Sequence, residues 1–417
     1  MKVLFVTQYF PPEIEPSAAK VHDLACKLAE YGHSVTVITG FPNYPSGVIP
    51  VKYRGKLYLS ELKDGVKVLR TFLIPSPNRG IVRRILNQLS FLISATLRGL
   101  LVKRPDVIVT SSPPLETGLA GYLLSWIKRL PFVFEVRDAW PKAVVIVGVL
   151  RHNFLITLAE AIEKFLYQRA SKVVVVTRGV EAHVIERGAT KDKVVLIPNG
   201  TDTELFRPDN QGGSLRVELG LAEKFIAIYA GTHGLQANLT SVLQAARLLQ
   251  NLKEIVFLFV GDGAEKPALL RLSQESGLPN VIFLNPQTRE RLAQFLSIAD
   301  VGIVHTRKDP FFEGYLPVKM FEYMAAGCPI VLGANGESRA LVEEAKAGIW
   351  VGPENPQAMA EGILRLYENP HLLQRMGKNG RKYAIENFSR TILVQRYQEV
   401  LANVLNPTKG AKHERLL

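Results

Sequence analysis

Only two cysteines, Cys26 and Cys328, occur among 417 residues. Both fall in predicted helices far apart in sequence, which argues against a disulfide framework and for two small buried thiols in a reducing compartment. Collagen-like, coiled-coil and low-complexity patterns are absent. The first apolar run, "VLFVT", gives way at once to "QYFPPE". It is too short for a signal-peptide core and suits a buried strand, so the expected location is the cytoplasm.

Several catalytic signatures are missing as well. The eight histidines show no paired ligand spacing, and there is no H-E-x-x-H, C-x-x-C or D-x-D. No metal is expected. "TSSPPLETG" lacks the G-x-S-x-G elbow of a serine hydrolase. The turn after "KVLFVT" lacks the G-x-G-x-x-G of dinucleotide binding. The formal charge of +13 comes without a zinc-finger, basic-zipper or RNA-recognition signature, so nucleic acid ranks below phosphorylated substrates and anionic lipid as a partner.

What is present is an alternation of short apolar strands with helical patterns. The first half carries "KVLFVT", "SVTVIT", "DVIVT", "FVFEV", "KVVVV" and "KVVLIP". The second carries "FIAIYAG", "IVFLFVGDG", "VIFLN", "DVGIVHT" and "PIVLG". Continuously apolar strands separated by helices indicate parallel sheets covered on both faces. The chain is therefore expected to be α/β, with two doubly wound domains facing a cleft. The expected division is 1–205, a linker over 206–222 centred on the Pro-, Gly- and Asn-rich Pro208–Ser214, then 223–388, and a final helix and tail over 389–417.

One stretch bears on lipid. "RGIVRRILNQLSFLISATLRGLLVKR", Arg79 to Arg104, is apolar and basic at both ends, and Asn87, Gln88 and Arg98 interrupt it. A spanning helix is disfavoured. Two readings stand: an amphipathic helix lying on an anionic membrane surface, or a helix packed on a sheet with a basic outer side.

In open α/β sheets ligands bind beyond the carboxyl ends of the strands, near helix N-termini that favour anions. "AGTHGLQAN" offers Gly231, whose backbone can approach a phosphate, together with Thr232 and His233 as donors. In "VGDGAEK", Asp262 follows Gly261 and reads as an N-cap. "HTRKDPFFEGYLP" brings Arg307 and Lys308 to a helix start, where they suit a diphosphate or simply line a solvated loop. "PVKMFEYMAAGCPIVLG" then places Lys319 and Glu322 three apart in an apolar helix. Either they are ligands, Lys319 for phosphate and Glu322 for ribose hydroxyls, or they form an intrahelical pair worth only about 0.2–0.5 kcal/mol. In the first half, "VRDAWPK" sets Arg137, Asp138 and Trp140 after a strand, while "FPPEIEPS" and "GFPNYPSG" read as shaped recognition loops or rigid turns. Glu13, Pro16, Tyr44 and Trp140 are the candidate recognition residues of these three segments.

"YGHSVTVIT", "VLIPNGTDTELFRP", "VGDGAEKPALLRL", "SIADVGIV" and "PVKMFEYMAAGCPIVLG" resemble, in order, the signature segments of GT-B retaining glycosyltransferases of family four. "FPPEIEPSAAKVHDLACKLAEYGHSVTVITGFPNYPSG", "VRDAWP" and "LPVKMFEYMAAG" resemble most the bacterial N-acetyl-L-fucosamine and fucose transferases of O-antigen and capsule assembly. The resemblance implies two Rossmann-like domains with the last helix crossing back to the first. It implies a UDP- or GDP-sugar donor, a polyprenyl-diphosphate glycan acceptor, and a peripheral place at the inner face of the cell membrane. Glu322 matches the second glutamate of the family's E-x7-E element, and Gly314 stands where the first belongs, with Glu313 displaced by one. Glu313, Gly314 and Leu316 are the expected contacts around the donor sugar. The turn after the first strand of the second domain carries no cation, so Arg307, Lys308 and Lys319 are the substitutes for the family's phosphate-binding Arg and Lys. Asp138 is assigned to orienting the acceptor or the sugar, with Arg137 and Lys319 as the other candidate catalytic residues, and Glu13, Pro16, Tyr44 and Trp140 to contact with the acceptor. Two alternatives are a nucleotide-sugar 2-epimerase and a non-catalytic sugar-nucleotide-binding module.

Overall fold

Val3, Leu4, Phe5 and Val6 are all buried, the signature of a strand covered on both faces. In the computed structural model, which describes residues 1–13, 16–44, 46–77, 81–142, 145, 152–208 and 213–406, they form β1 (Lys2–Val6). Its sheet contains β2 (Ser34–Gly40), β3 (Tyr58–Lys63), β4 (Val66–Thr71), β5 (Val107–Ser112), β6 (Phe132–Val136), β7 (Lys172–Val175) and β8 (Val194–Leu196). The order is β3-β4-β2-β1-β5-β6-β7-β8, parallel except for the antiparallel β3–β4 pair. The chain leaves β1 toward β2 on one side and reaches β5 on the other, so the order reverses between β1 and β5.

The second sheet holds β9 (Phe225–Ala230), β10 (Ile255–Val260), β11 (Val281–Leu284), β12 (Val301–His305), β13 (Ile330–Gly333) and β14 (Gly348–Trp350). Its order, β11-β10-β9-β12-β13-β14, is parallel throughout and reverses between β9 and β12. Alternate residues serve opposite faces: Ile226, Ile228 and Ala230 join one core layer, Ala227 and Tyr229 the other. The two-sheet α/β architecture expected from the strand pattern is observed.

The chain divides into Met1–Pro198 with Leu393 onward, and Asn199–Ile392. The last helix, Arg390–Leu405, sends Leu393, Val394, Tyr397, Val400 and Leu401 into the core beside β1 and β2, which is why its residues from Leu393 onward belong to the first unit while Arg390 stays with the second. The division falls ahead of the expected linker, because Phe206 and Leu215 are buried in the second unit's core. Within that segment, residues 209–212 lie outside the described residues. Cys328 sits in the turn after a helix, and both cysteines are free thiols.

The β3–β4 hairpin was not expected, nor was β14. The hairpin turns at Asp64 and Gly65, with φ of 49° and 78° as two-residue hairpins require. Its buried Arg70 is neutralised by Glu61 at 2.6 Å and donates to the Pro11 carbonyl at 2.6 Å.

The Ile81–Leu100 helix packs on the sheet, but its outer side is not simply basic as the second reading expects. Phe91 and Ala95 pack into the sheet core, as a covering helix should. Its outer face is apolar too: Val82, Ile93 and Leu97 are 67%, 61% and 60% exposed, with Leu86 and Leu89 between them. The spacing is one helical stripe. Among the described residues no helix is long and apolar enough to cross a membrane.

Candidate active site

The Val318–Ala325 helix is positioned by its buried face. Met320, Phe321, Tyr323, Met324 and Ala325 are all buried. Tyr323 Oη accepts a hydrogen bond from the Ala230 N–H at 2.8 Å, tying the helix to the exit of β9. That face consumes the inward positions, so Lys319 and Glu322 share the remaining one. Lys319 Nζ stands 3.6 Å from the centroid of the Tyr229 ring. Lys319 and Glu322 make no ion pair with each other among the described residues, which removes the intrahelical-pair reading.

Glycine is required beneath the ammonium. Gly231 has φ +138°, and a Cβ there would meet Lys319 Nζ at 2.9 Å. Gly261 has φ +146°, and its Cβ would lie 2.0 Å from the Gly231 carbonyl oxygen. The exits of β9 and β10 therefore touch backbone to backbone.

Burial lowers the Lys319 ammonium to about 7, against the opposing pull of Glu322. Burial also raises the Glu322 carboxyl, outweighing the charges of Arg289, Arg390 and Lys319. Each ion is held toward neutrality in the free protein. An incoming anion beside Lys319 and hydroxyl donors beside Glu322 would stabilise the charged forms. That is the electrostatics of a ligand site rather than of a structural bridge.

Arg289 and Arg390 were not anticipated, although a signal existed: each opens a helix, where a cation opposes the macrodipole. Lys266 was missed too. Its buried Nζ donates to the carbonyls of Gly261 at 2.8 Å and Leu284 at 3.0 Å, and to Asn285 Oδ1 at 3.1 Å, joining the ends of β10 and β11.

His233 differs from expectation. Its ring is fully buried among Tyr229, Phe259 and Phe283, so it does not present a donor at the surface. Burial, with the charges of Lys266 and Lys319, lowers it to about 4 and keeps it neutral. Its main chain braces the turn, with the N–H donating to the Asp262 carbonyl at 2.8 Å and the carbonyl accepting from Glu265 N at 3.0 Å. Thr232, by contrast, is exposed. Asp262 is not an N-cap: its Oδ1 accepts from the adjacent Gly263 N–H at 2.9 Å, four residues before the Lys266–Glu275 helix.

At the β12 exit, Arg307 and Lys308 are exposed. A hydrogen bond from Asn238, the Lys308 N–H and the nearby Arg307 charge hold the Glu354 carboxylate below the usual range. His305 braces this turn, donating from Nδ1 to the Ala237 carbonyl at 2.8 Å and accepting the Glu354 N–H at Nε2, 3.0 Å away. Glu313 is exposed and Gly314 half-buried, while the Leu316 side chain packs on the core. Gly336, at φ +64°, presses against the Glu313 backbone, where a Cβ would lie 2.0 Å from its oxygen.

In the first unit, Arg137 and Asp138 follow β6 and are half-buried. Arg137 donates to the Pro113 carbonyl at 2.9 Å. Trp140 packs partly against the core, which limits it as a stacking surface. Glu13 is buried, and its carboxylate accepts from the N–H groups of Asn43 and Tyr44 at 3.0 Å each and of Phe10 at 3.4 Å. Burial still raises it to about 7. Glu13 thus shapes the recognition loop rather than facing a ligand. Tyr44 meets Tyr9 edge to face at 5.4 Å, and both line a small hollow with Arg84, Asn87 and Gln88. Pro16 begins a helix, and its neighbours Ile14 and Glu15, like Pro45, lie outside the described residues.

Beneath these turns lies a buried ion pair that sequence did not disclose. Lys20 Nζ lies 2.7 Å from Glu135 Oε1, and Ser111 Oγ donates to Oε2 at 2.7 Å.

Comparison with known proteins agrees with this arrangement. Residues 17–200 match the family model described as glycosyl transferase 4-like domain, and residues 214–383 match glycosyl transferases group 1. The chain is 26% identical over 421 residues to WcaI of Escherichia coli (strain K12), a glycosyl transferase named for colanic acid biosynthesis, covering 98% of this chain and all of that one. Sucrose-phosphate synthase from Thermosynechococcus elongatus superposes with a TM-score of 0.79 at 21% identity, over 98% of this chain and 100% of that one. Anabaena HepE in complex with UDP gives 0.72 at 18%, over 97% and 100%. These matches favour a glycosyltransferase over the epimerase and the non-catalytic module. The chain belongs to the group 1 glycosyltransferases, with a 4-like first half and the GT-B fold.

Proposed function

We propose that the chain is a retaining glycosyltransferase that moves a sugar of the L-fucosamine or fucose type from a UDP- or GDP-sugar to a polyprenyl-diphosphate glycan in surface polysaccharide assembly. The observation that carries the reading is Lys319 and Glu322, unpaired with each other on one helix face beside the Gly231 turn, where the strand order reverses.

In this reading Lys319 meets the diphosphate, assisted by Arg307, Lys308 and the backbone at Gly231, Thr232 and Gly261. Glu322 accepts the ribose hydroxyls, and the segment Glu313, Gly314, Leu316 borders the donor sugar. His233 acts through the turn it braces. Departure of the nucleotide builds negative charge on the diphosphate and positive charge on the sugar carbon. A fixed ammonium and oriented amides stabilise the first, an effect worth several kcal/mol per donor when preorganised. Asp138 and Arg137 orient the acceptor or the sugar, and Tyr44 and Trp140 contact the acceptor in loops shaped by Glu13 and Pro16. Solved HepE complexes named for UDP and UDP-glucose support a nucleotide-sugar donor.

The exposed stripe of the Ile81–Leu100 helix, flanked by Arg83, Arg84, Arg98, Lys103 and Arg104, supports a peripheral place on the anionic inner face of the cell membrane. There a prenyl-anchored acceptor is presented.

The test is incubation with labelled UDP- and GDP-sugars in chelator, with and without a prenyl-diphosphate acceptor. Label entering the lipid fraction is the expected result. A folded protein that transfers no label with any donor in the panel contradicts the proposal.

A further inference from the structure

Three side chains unrelated to the donor site converge at the edge of the first sheet. His22 and Cys26 lie one turn apart on the Pro16–Glu30 helix, and Asp64 sits at the tip of the β3–β4 hairpin. His22 Nε2 is 2.8 Å from Asp64 Oδ2 and 3.4 Å from Cys26 Sγ. One donor atom from each lies within 4.8 Å of the others.

We propose that His22, Cys26 and Asp64 form a binding site for a thiophilic divalent cation of the zinc class. Imidazole, thiolate and carboxylate are the ligand types zinc selects, at about 2.0 Å for nitrogen and 2.3 Å for sulfur. In a tetrahedron those bonds separate nitrogen and sulfur by roughly 3.5 Å, close to the spacing observed. For a metal at these bond lengths the His–Asp edge must open by about half an ångström and the Cys–Asp edge, within 4.8 Å here, must close toward about 3.5 Å. Asp64 can supply that, since its side chain is 59% exposed. The Asp23 carboxylate lies 3.6 Å from His22 Nδ1, in place to orient the ring from outside the ligand set. The Phe10 ring meets the imidazole edge to face at 5.4 Å and closes one side. Three protein ligands leave one position for water. The bound ion would pin the first helix to the hairpin, two elements 42 residues apart between His22 and Asp64.

The site is tested on the full chain carrying no polyhistidine tag, stripped with chelator. Zinc is titrated by calorimetry, and cobalt is followed by absorption. The expected result is one zinc per chain at micromolar affinity or tighter, with a thiolate-to-cobalt charge-transfer band in the near ultraviolet. Cys26→Ser should abolish the band and weaken zinc by at least about tenfold, and Asp64→Asn, at an exposed tip, should weaken it in the same direction. Zinc binding that never saturates overturns the site. So does full affinity in either variant with circular dichroism like that of wild type.

Discussion

The Lys319 ammonium lies 3.6 Å from the centroid of the Tyr229 ring, at the end of the strand whose exit turn carries Gly231. A cation over a π-face keeps part of its stabilisation when water is removed. The ring does not cancel the cost of burial, which holds Lys319 at about 7. A diphosphate favours the ammonium and raises that value in the complex, so binding takes up a proton above pH 7. Donor affinity should therefore weaken from pH 7 to 9, approaching about tenfold per unit, and level off below pH 6. Calorimetry with a UDP- or GDP-sugar across this range checks the slope, which Lys319→Met should abolish.

Gly261→Ala should cost the second unit about 2–4 kcal/mol, because backbone strain and a clash with the Gly231 carbonyl act together. Gly277→Ala is the control. Gly277 also has positive φ, at +59°, but nothing lies within 4 Å of its Cβ. It should cost only about 1 kcal/mol. Denaturant titrations of the two variants measure the difference.

Lys20→Met leaves the Glu135 carboxylate buried without its partner and should destabilise the first unit by about 3–5 kcal/mol. Burial alone would raise Glu135, yet Lys20 and Arg137 hold it below the usual range. Its contribution is therefore present at neutral pH and lost as pH falls through the depressed value. Chemical unfolding at pH 7 and pH 3 should show the wild type and Lys20→Met converging at the acid end.

Ile93→Glu and Leu97→Glu place charge in the exposed stripe without touching Phe91 or Ala95. Sedimentation with anionic liposomes should fall sharply in either variant, and wild-type binding should fall with added salt. Unchanged sedimentation would assign the stripe to another partner.

The parallel strands were legible because burial on both faces demands continuous apolar runs, as in "VLFV" and "IVFLFV". β3 and β4 escaped that criterion. They carry Glu61, Lys63, Lys67 and Arg70, and only the Asp64–Gly65 dipeptide marks the hairpin. The Pro- and Gly-rich segment near Pro208 drew the linker away from Pro198, because composition does not reveal that Phe206 is buried. At the site, Lys319 and Glu322 stood out as ions in an apolar helix. Lys266 looked like an ordinary helical lysine, since its three acceptors come from two strand ends and a loop. His22 and Cys26 acquire meaning only when the hairpin brings Asp64 to them.

The central claim is that Glu322 holds the donor's ribose while Lys319 holds its diphosphate. Titrating UDP, GDP and their sugars into wild type and Glu322→Ala by calorimetry in chelator tests it most directly. Losing two hydroxyl contacts to a carboxylate should cost about 2–3 kcal/mol, roughly 30- to 150-fold in Kd, with the melting curve preserved. Equal affinity in the two proteins would contradict the account.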